Sequence, residues 1–141
     1  MSDCCGSKQV HQESQASSCC GATKKTVLLY ACSGGANVAE IADKAARELM
    51  FGGQGTMFCL AGLGAGIGSM IQTAKDADVN LVIDGCPMDC AKKVFEKAGI
   101  ANYQYVKVTD LGIEKLKGVR CTEEQVAKVV ARAKEILAIK E

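Results

Sequence analysis

The sequence predicts an α/β domain with a Rossmann-like or flavodoxin-like three-layer fold, built on a mainly parallel four-stranded sheet. Short apolar runs alternate along the chain with segments of helical periodicity, a pattern typical of parallel strands joined by helices. Fifteen glycines and a single proline fit tight turns between these elements. The length of 141 residues suits one domain with an ordinary core.

The first half of the chain contains two predicted strands and two predicted helices. Residues 27–30 (VLLY) form a short apolar run, which indicates a buried strand. The helical pattern that follows ends at Gly52-Gly53, as glycine at a helix terminus favours. Its inward face consists of Val38, Ile41, Ala45 and Leu49. Residues 56–60 (TMFCL) predict a second strand, and a glycine-rich turn leads from it to a helix over about residues 69–75.

The second half continues the alternation. Residues 81–83 (LVI) predict the third strand, residues 87–98 the third helix and residues 103–108 the fourth strand. The inward face of the third helix consists of Ala91, Val94, Phe95 and Ala98, with Gly99 after its end. The last helix begins at Thr122, which matches a capping box with Gln125. Its inward face consists of Val126, Val129, Val130, Ala133 and Leu137.

The N-terminal segment differs from the rest of the chain. Residues 1–24 are polar and lack apolar periodicity, so they are predicted to form a disordered, cysteine-containing tail before an α/β domain at residues 25–141. The tail contains two vicinal cysteine pairs, Cys4-Cys5 and Cys19-Cys20. Such pairs capture soft cations or metalloids such as Cu(I) or arsenite, although a flexible tail that merely tolerates cysteine is an equal alternative.

Composition excludes several classes of partner. A formal net charge of +1 and a pI near 7.5 favour neither nucleic acid nor an anionic membrane, and the sequence does not identify a protein partner. The chain shows no signal peptide and no membrane-spanning run, which predicts a cytoplasmic protein. Nine cysteines in a reducing compartment are expected to bind metal, to react or to pack, rather than to form disulfides.

Four of the cysteines follow predicted strands. Cys32 comes directly after the first strand, and Cys59 lies near the end of the second. Cys86 and Cys90 follow the third. Parallel strands end at one edge of a sheet, where ligands bind in such folds. Three adjacent strand ends span about 10 Å and a zinc–sulfur bond measures about 2.3 Å. We therefore expect the four thiols to hold one metal site, and their spacing leaves zinc and an iron–sulfur cluster open.

The pair Cys86 and Cys90 is predicted at the start of the third helix. Cys86 occupies the expected N-cap, Pro87 the first helical position, and Cys90 lies one turn further on the same face. The helix dipole favours negative charge there and lowers the pKa of a thiol, as a metal ligand requires. Asp84 and Asp89 are close by, and Asp89, in the first turn, is expected to stabilise the helix end.

The globular part of the chain resembles the DGC-domain family of small prokaryotic proteins, named for the tripeptide DGC at residues 84–86. The resembling segments are residues 32–37 (CSGGAN), 57–62 (MFCLAG), 84–87 (DGCP), 89–91 (DCA) and 109–113 (TDLGI). The resemblance implies a zinc site formed by four cysteines, which correspond here to Cys32, Cys59, Cys86 and Cys90. The paired cysteines of the tail are not part of the family pattern.

Two enzymatic interpretations fail on single residues. The segment around Cys32 also resembles the opening of low-molecular-weight tyrosine phosphatases and arsenate reductases, whose loop needs an arginine six residues after the cysteine. Val38 stands there, so phosphoryl chemistry lacks its charge stabiliser. Residues 62–68 (GLGAGIG) follow a strand, but no three of these glycines fit the dinucleotide-binding spacing.

A thiol-based function remains the alternative to a zinc-holding one. The spacing of Cys86 and Cys90 is one residue longer than in thioredoxins, and the same four cysteines could handle and transfer a soft metal or metalloid. Cys121 precedes the capping Thr122 and is expected to pack on Val126 as part of a hydrophobic staple. The sequence shows no acid–base pair that would define an enzyme.

Overall fold

The structure, a computed structural model, describes residues 24–139, which form four strands and six helical segments. These are β1 (Val27–Ala31), α1 (Asn37–Phe51), β2 (Thr56–Met57), α2 (Leu60–Gly64), α3 (Gly68–Asp76), β3 (Val79–Asp84), α4 (Cys90–Lys97), β4 (Tyr103–Lys107), a 3-10 turn (Val108–Leu111) and α5 (Glu123–Ala138). The predicted tail lies, except for Lys24, outside the described residues. Within the described part, no helix has both the length and the apolar character needed to cross a membrane.

All four strands are parallel and lie in the order β2-β1-β3-β4, which confirms the predicted α/β class. Every residue of β3 is buried, as expected for a strand with neighbours on both sides and helices on both faces. β1 lies between β2 and β3. The connections that follow β1 and β3 are therefore neighbours, whereas the connection that follows β2 starts on the far side of β1.

The helices form two groups, because α1 packs with α5 while α2 packs with α3 and α4. Right-handed crossovers place these groups on opposite faces, since the chain moves from β1 outward to β2 but from β3 in the other direction to β4. The predicted inward residues of α1 are all buried, and so are Val126, Val129 and Ala133 of α5. Tyr30 joins the sheet to α4 through an edge-to-face contact with Phe95, with ring centroids 4.8 Å apart.

Two predicted boundaries near the cysteines are wrong. The second strand ends at Met57 instead of reaching residue 60, because the chain turns there and residues 60–64 form the short helix α2. The helix after β3 begins at Cys90 and not at Pro87, because residues 86–89 form a turn in which the Asp89 amide donates to the Cys86 carbonyl. Cys86 therefore precedes the helix, and only Cys90 belongs to it.

Candidate metal centre

Cys32 lies at the floor of the site, directly after β1. Its side chain is 8% exposed, and its sulfur accepts a hydrogen bond from the Gly85 amide at 3.1 Å. Burial raises the pKa of the Cys32 thiol to about 11, and the nearby charges of Asp84, Cys90 and Cys86 act in the same direction. The Gly85 amide lowers this pKa but does not offset the burial. Without a cation, Cys32 is therefore a thiol at neutral pH.

Asp84, the last residue of β3, determines where α4 begins. Its side chain is 1% exposed, and its two carboxylate oxygens accept the amides of Ala91 and Lys92 at 2.9 and 3.0 Å. These amides have no partner within the helix, so a carboxylate here satisfies them and complements the helix dipole. The N-cap residue itself, Asp89, makes no capping bond with its side chain. The side chain that caps α4 is thus Asp84, and Asp89 lies directly before the helix instead of in its first turn.

Gly85 allows the turn after β3 to lie against the start of α1. A Cβ atom at this position would lie 2.9 Å from the Val38 carbonyl carbon and 3.0 Å from its oxygen. Real Cβ atoms do not approach backbone so closely, so only glycine fits without a backbone shift. This close approach brings Cys86 next to the connection that contains Cys32. Each residue of the DGC tripeptide therefore has a separate role: a helix cap, a close backbone contact and a thiol.

Asp89 is held by polar contacts of its own. It is the one described non-glycine residue with positive φ, at 53°. Its carboxylate accepts the Tyr105 hydroxyl at 2.8 Å and pairs with Lys107 at 2.9 Å, and the bond with Lys107 holds the pKa of Asp89 below its usual value. The Tyr105 hydroxyl is also 3.1 Å from Asp84. One hydroxyl thus ties together the two carboxylates that flank the turn at residues 86–89.

Cys86 is half-buried and faces a lysine from a distant part of the chain. The Lys115 ammonium donates to the Cys86 sulfur at 3.3 Å. Lys115 lies in the loop between β4 and α5, and nothing in its local sequence predicts this contact.

Asn37, the first residue of α1, fastens that loop to the site. It is 2% exposed, its side-chain amide donates to the Glu114 carbonyl at 2.9 Å, and its side-chain oxygen accepts the Leu116 amide at 2.7 Å. Its own backbone amide donates to the Leu116 carbonyl at 3.0 Å. We call residues 114–117 the strap, because these bonds hold them across the start of α1 with Lys115 and Lys117 over the cysteines.

Cys59 is placed differently from the other three cysteines. It is exposed and forms the N-cap of α2, where its sulfur accepts the Gly62 amide at 3.4 Å. A thiol is a weak acceptor, so this is a weaker cap than the carboxylate of Asp84 provides. β2 borders β1 on the side away from β3, and Cys59 therefore approaches the site from the opposite side to Cys86.

The structure gathers three of the four predicted ligands around one cavity. The cavity has a volume of about 270 Å³, and its walls include Cys32, Cys86 and Cys90, but not Cys59. Among the described residues, no three side chains of histidine, cysteine, aspartate or glutamate yet lie close enough together to hold a metal ion. The donor chemistry suits a soft metal, whereas the arrangement does not yet form a closed four-thiolate cage.

The domain matches a protein family and a curated relative. The DGC domain family matches the chain over residues 28–133, which include all four candidate ligands and exclude the tail. The anaerobic and virulence modulator AnvM of Pseudomonas aeruginosa is 27% identical over 110 residues, which cover 78% of this chain and 84% of that protein. No solved structure matches the chain.

Proposed function

The chain belongs to the DGC domain family, and from that premise we propose that it is a metal-binding protein that holds one zinc ion through four cysteine thiolates. The proposed ligands are Cys32, Cys59, Cys86 and Cys90. The observation that supports this proposal most is that thiols from two separate connections, after β1 and after β3, line a single cavity. Bound zinc would supply a cross-link between these connections and the one after β2.

The ligands are not equally prepared for a metal. Cys32 and Cys90 lie next to elements fixed by Asp84 and Gly85. Cys59 would have to give up its bond with the Gly62 amide, and Cys86 would have to give up its bond with the Lys115 ammonium. Both bonds are made to sulfur, which is a weak acceptor, so exchanging them for a metal bond costs little.

Nearby positive groups would offset the negative charge of such a zinc site. Zinc with four thiolates carries about −2 net charge. The ammonium groups of Lys115 and Lys117 line the same cavity, and the Gly85 amide points at the sulfur of Cys32. Backbone amides and lysines thus offset the charge that a thiolate cage brings into a partly buried position.

The exposure of the ligands favours a second candidate function, the handling and transfer of a soft metal or metalloid. Cys59 and Cys90 are exposed and Cys86 is half-buried, so a competing thiol can reach the site. A purely structural zinc site is closed by its ligands, and an accessible one exchanges its metal more readily. The related Pseudomonas protein is named a modulator, and a site that binds and releases metal fits such a role without turnover. A thiol redox reaction of the same cysteines is the remaining alternative.

Zinc stoichiometry across single cysteine variants tests the proposal. Reduced, metal-free protein would be given one equivalent of zinc and measured by native mass spectrometry, with Cys32, Cys59, Cys86 and Cys90 each replaced by serine. We expect wild type to hold one zinc and each variant to hold it less tightly against a chelator. Cys121→Ser is the matched control, because Cys121 is half-buried outside the cavity, and it should retain zinc fully.

Two outcomes would contradict the four-ligand site. One is zinc retention that survives the loss of two of the four cysteines, and the other is zinc loss in the Cys121 control. The rate at which a chelator removes zinc separates the two candidate functions, since a transfer site releases metal fast and a structural one slowly. Visible charge-transfer absorption in protein purified without added metal would instead indicate an iron–sulfur cluster.

A further inference from the structure

The cavity beside the cysteines also contains groups that are not proposed metal ligands. One part of its wall is apolar and consists of Ala36, Val38, Ala39 and Met88. Two lysines of the strap, Lys115 and Lys117, also line it. An apolar wall with a few convergent polar groups is the usual form of a small-molecule site.

The positive charge of this cavity is not neutralised by neighbouring carboxylates. Within residues 24–139, neither Lys115 nor Lys117 forms an ion pair with an acid. The acid that lines the cavity is Asp84, and its oxygens are occupied by two α4 amides and the Tyr105 hydroxyl. The cavity therefore presents the Lys117 ammonium, and the Lys115 ammonium that donates to the Cys86 sulfur, beside an apolar wall, which is a favourable place for an anion.

The strap keeps these lysines in place before any ligand arrives. Asn37 makes two side-chain bonds and one backbone bond to the strap, and Ala36 pairs with Lys117 as an isolated β-bridge. A lysine on a free loop loses more conformational entropy on binding than one whose backbone is already fixed. The backbone of both lysines thus needs no ordering on binding.

We propose that this cavity is a binding site for a small organic carboxylate, whose charged end lies at Lys115 and Lys117 and whose apolar body packs against the wall formed by Ala36, Val38, Ala39 and Met88. The volume of about 270 Å³ lies just below the usual range of about 300–1,000 Å³ for drug-sized ligands, so the occupant is small. The apolar lining favours an anion with an organic body over inorganic phosphate, which has no apolar part to pack against it. This proposal goes beyond the metal site and does not depend on it.

A matched pair of probes tests the proposal on the full, reduced chain. 3-Phenylpropionate and its uncharged isostere 3-phenylpropanamide would be titrated into metal-free protein by calorimetry, and again into zinc-treated protein. We expect the carboxylate to bind about tenfold or more tightly than the amide. Because the first titration uses metal-free protein, its outcome does not depend on whether the proposed zinc site exists.

Three variants locate the binding. Lys115→Met with Lys117→Met keeps apolar stems but removes both charges, and should abolish the preference for the carboxylate. Lys93→Met with Lys97→Met removes two charges from a separate surface hollow next to α2 and should leave it unchanged. Met88→Ala, at a residue 59% exposed and therefore safe for folding, should weaken both probes equally. Equal affinity for acid and amide, an equal effect of the two lysine pairs, or no saturable binding would overturn the proposal.

Discussion

The connections after β2 and after β3 have the same order of elements but are held in place by different contacts. After β2 and after β3 the chain leaves a parallel strand, presents a cysteine and starts a helix on the same face. The β3 connection is fixed by the buried carboxylate of Asp84 and by the contact of Gly85 with Val38. The β2 connection is held by the bond from the Gly62 amide to the Cys59 sulfur. One side of the candidate centre is therefore preformed, and we expect the other side to adapt when a metal binds.

Removal of the cap on the β3 connection should have the largest effect. Asp84→Ala leaves the amides of Ala91 and Lys92 without their carboxylate, and hydrogen bonds to a charged group contribute about 1.5–3 kcal/mol each. We expect the free energy of unfolding to fall by about 3–4 kcal/mol in urea titrations, with Asp84→Asn in between. Asp110→Ala, at an exposed acid in the 3-10 turn, is the control and should cost under about 0.5 kcal/mol. An equal loss in the two alanine variants would refute the capping role.

The pH dependence of the metal-free protein should reveal the buried thiol of the preformed side. The pKa of Cys32 is about 11 in the folded chain against 9.0 for an ordinary thiol, because burial disfavours the thiolate. The folded chain therefore holds the Cys32 proton more tightly than the unfolded chain does. The resulting contribution to the free energy of unfolding is fully present below pH 9 and is lost as the pH rises through about 11. The loss is on the order of 2–3 kcal/mol, since one pKa unit corresponds to about 1.4 kcal/mol.

Urea titrations at several pH values, on wild type and on Cys32→Ser, measure this effect. Other groups titrate in both proteins, so the difference between their pH profiles isolates Cys32. Parallel profiles above pH 9 would show that Cys32 is not the group responsible.

Addition of one methyl group at Gly85 tests the close contact between Gly85 and Val38. Gly85→Ala places a Cβ within 3.1 Å of three Val38 atoms, and overpacking of this kind costs about 1–3 kcal/mol. Gly35→Ala is the matched control, because a Cβ there meets nothing within 4 Å. Thermal unfolding should therefore separate the two variants by several degrees. If both melt together, the backbone at Gly85 has room that the structure does not show.

Replacement of Cys59, which lies on the side expected to adapt, should change the stability least. Cys59→Ser replaces a thiol cap by a hydroxyl, which is a good N-cap, so stability should change by under about 0.5 kcal/mol. Its thiol is exposed, so it should react with a thiol reagent faster than the buried Cys32 in metal-free protein. Mass spectrometry of the modified protein orders these rates, and the reverse order would make Cys59 the preformed ligand.

The features of the fold that the sequence predicts correctly are those that depend on neighbouring residues in the chain. The inward face of α1 and the capping box of Thr122 with Gln125 follow from neighbouring residues, and both are confirmed. The start of α4 could not be predicted in this way, because its cap comes from a strand residue before the turn. The predicted second strand, residues 56–60, is longer than the observed β2, because apolar residues 58–60 suit a strand as well as a turn into a helix.

The site residues that the sequence predicts also depend on local pattern, whereas the missed ones depend on long-range contacts. Cysteines after strands are visible in the sequence, so the approach of Cys32, Cys86 and Cys90 to one cavity follows from the α/β pattern alone. Lys115 reaches Cys86 from 29 residues away, through a strap that depends on Asn37. An asparagine at the start of a helix and a lysine in a loop are common, and only their long-range contacts give them a role.

The Tyr105 hydroxyl makes the turn at residues 86–89 optically visible. The chain has no tryptophan and three tyrosines, so tyrosine dominates its ultraviolet emission. Hydrogen bonding to carboxylates quenches tyrosine fluorescence, and Tyr105 lies 2.8 Å from Asp89 and 3.1 Å from Asp84. We expect a ligand that moves this turn and lengthens either contact to increase the fluorescence of Tyr105. The protein thus carries an intrinsic, label-free signal beside its cysteines, which a stopped-flow instrument can follow in real time.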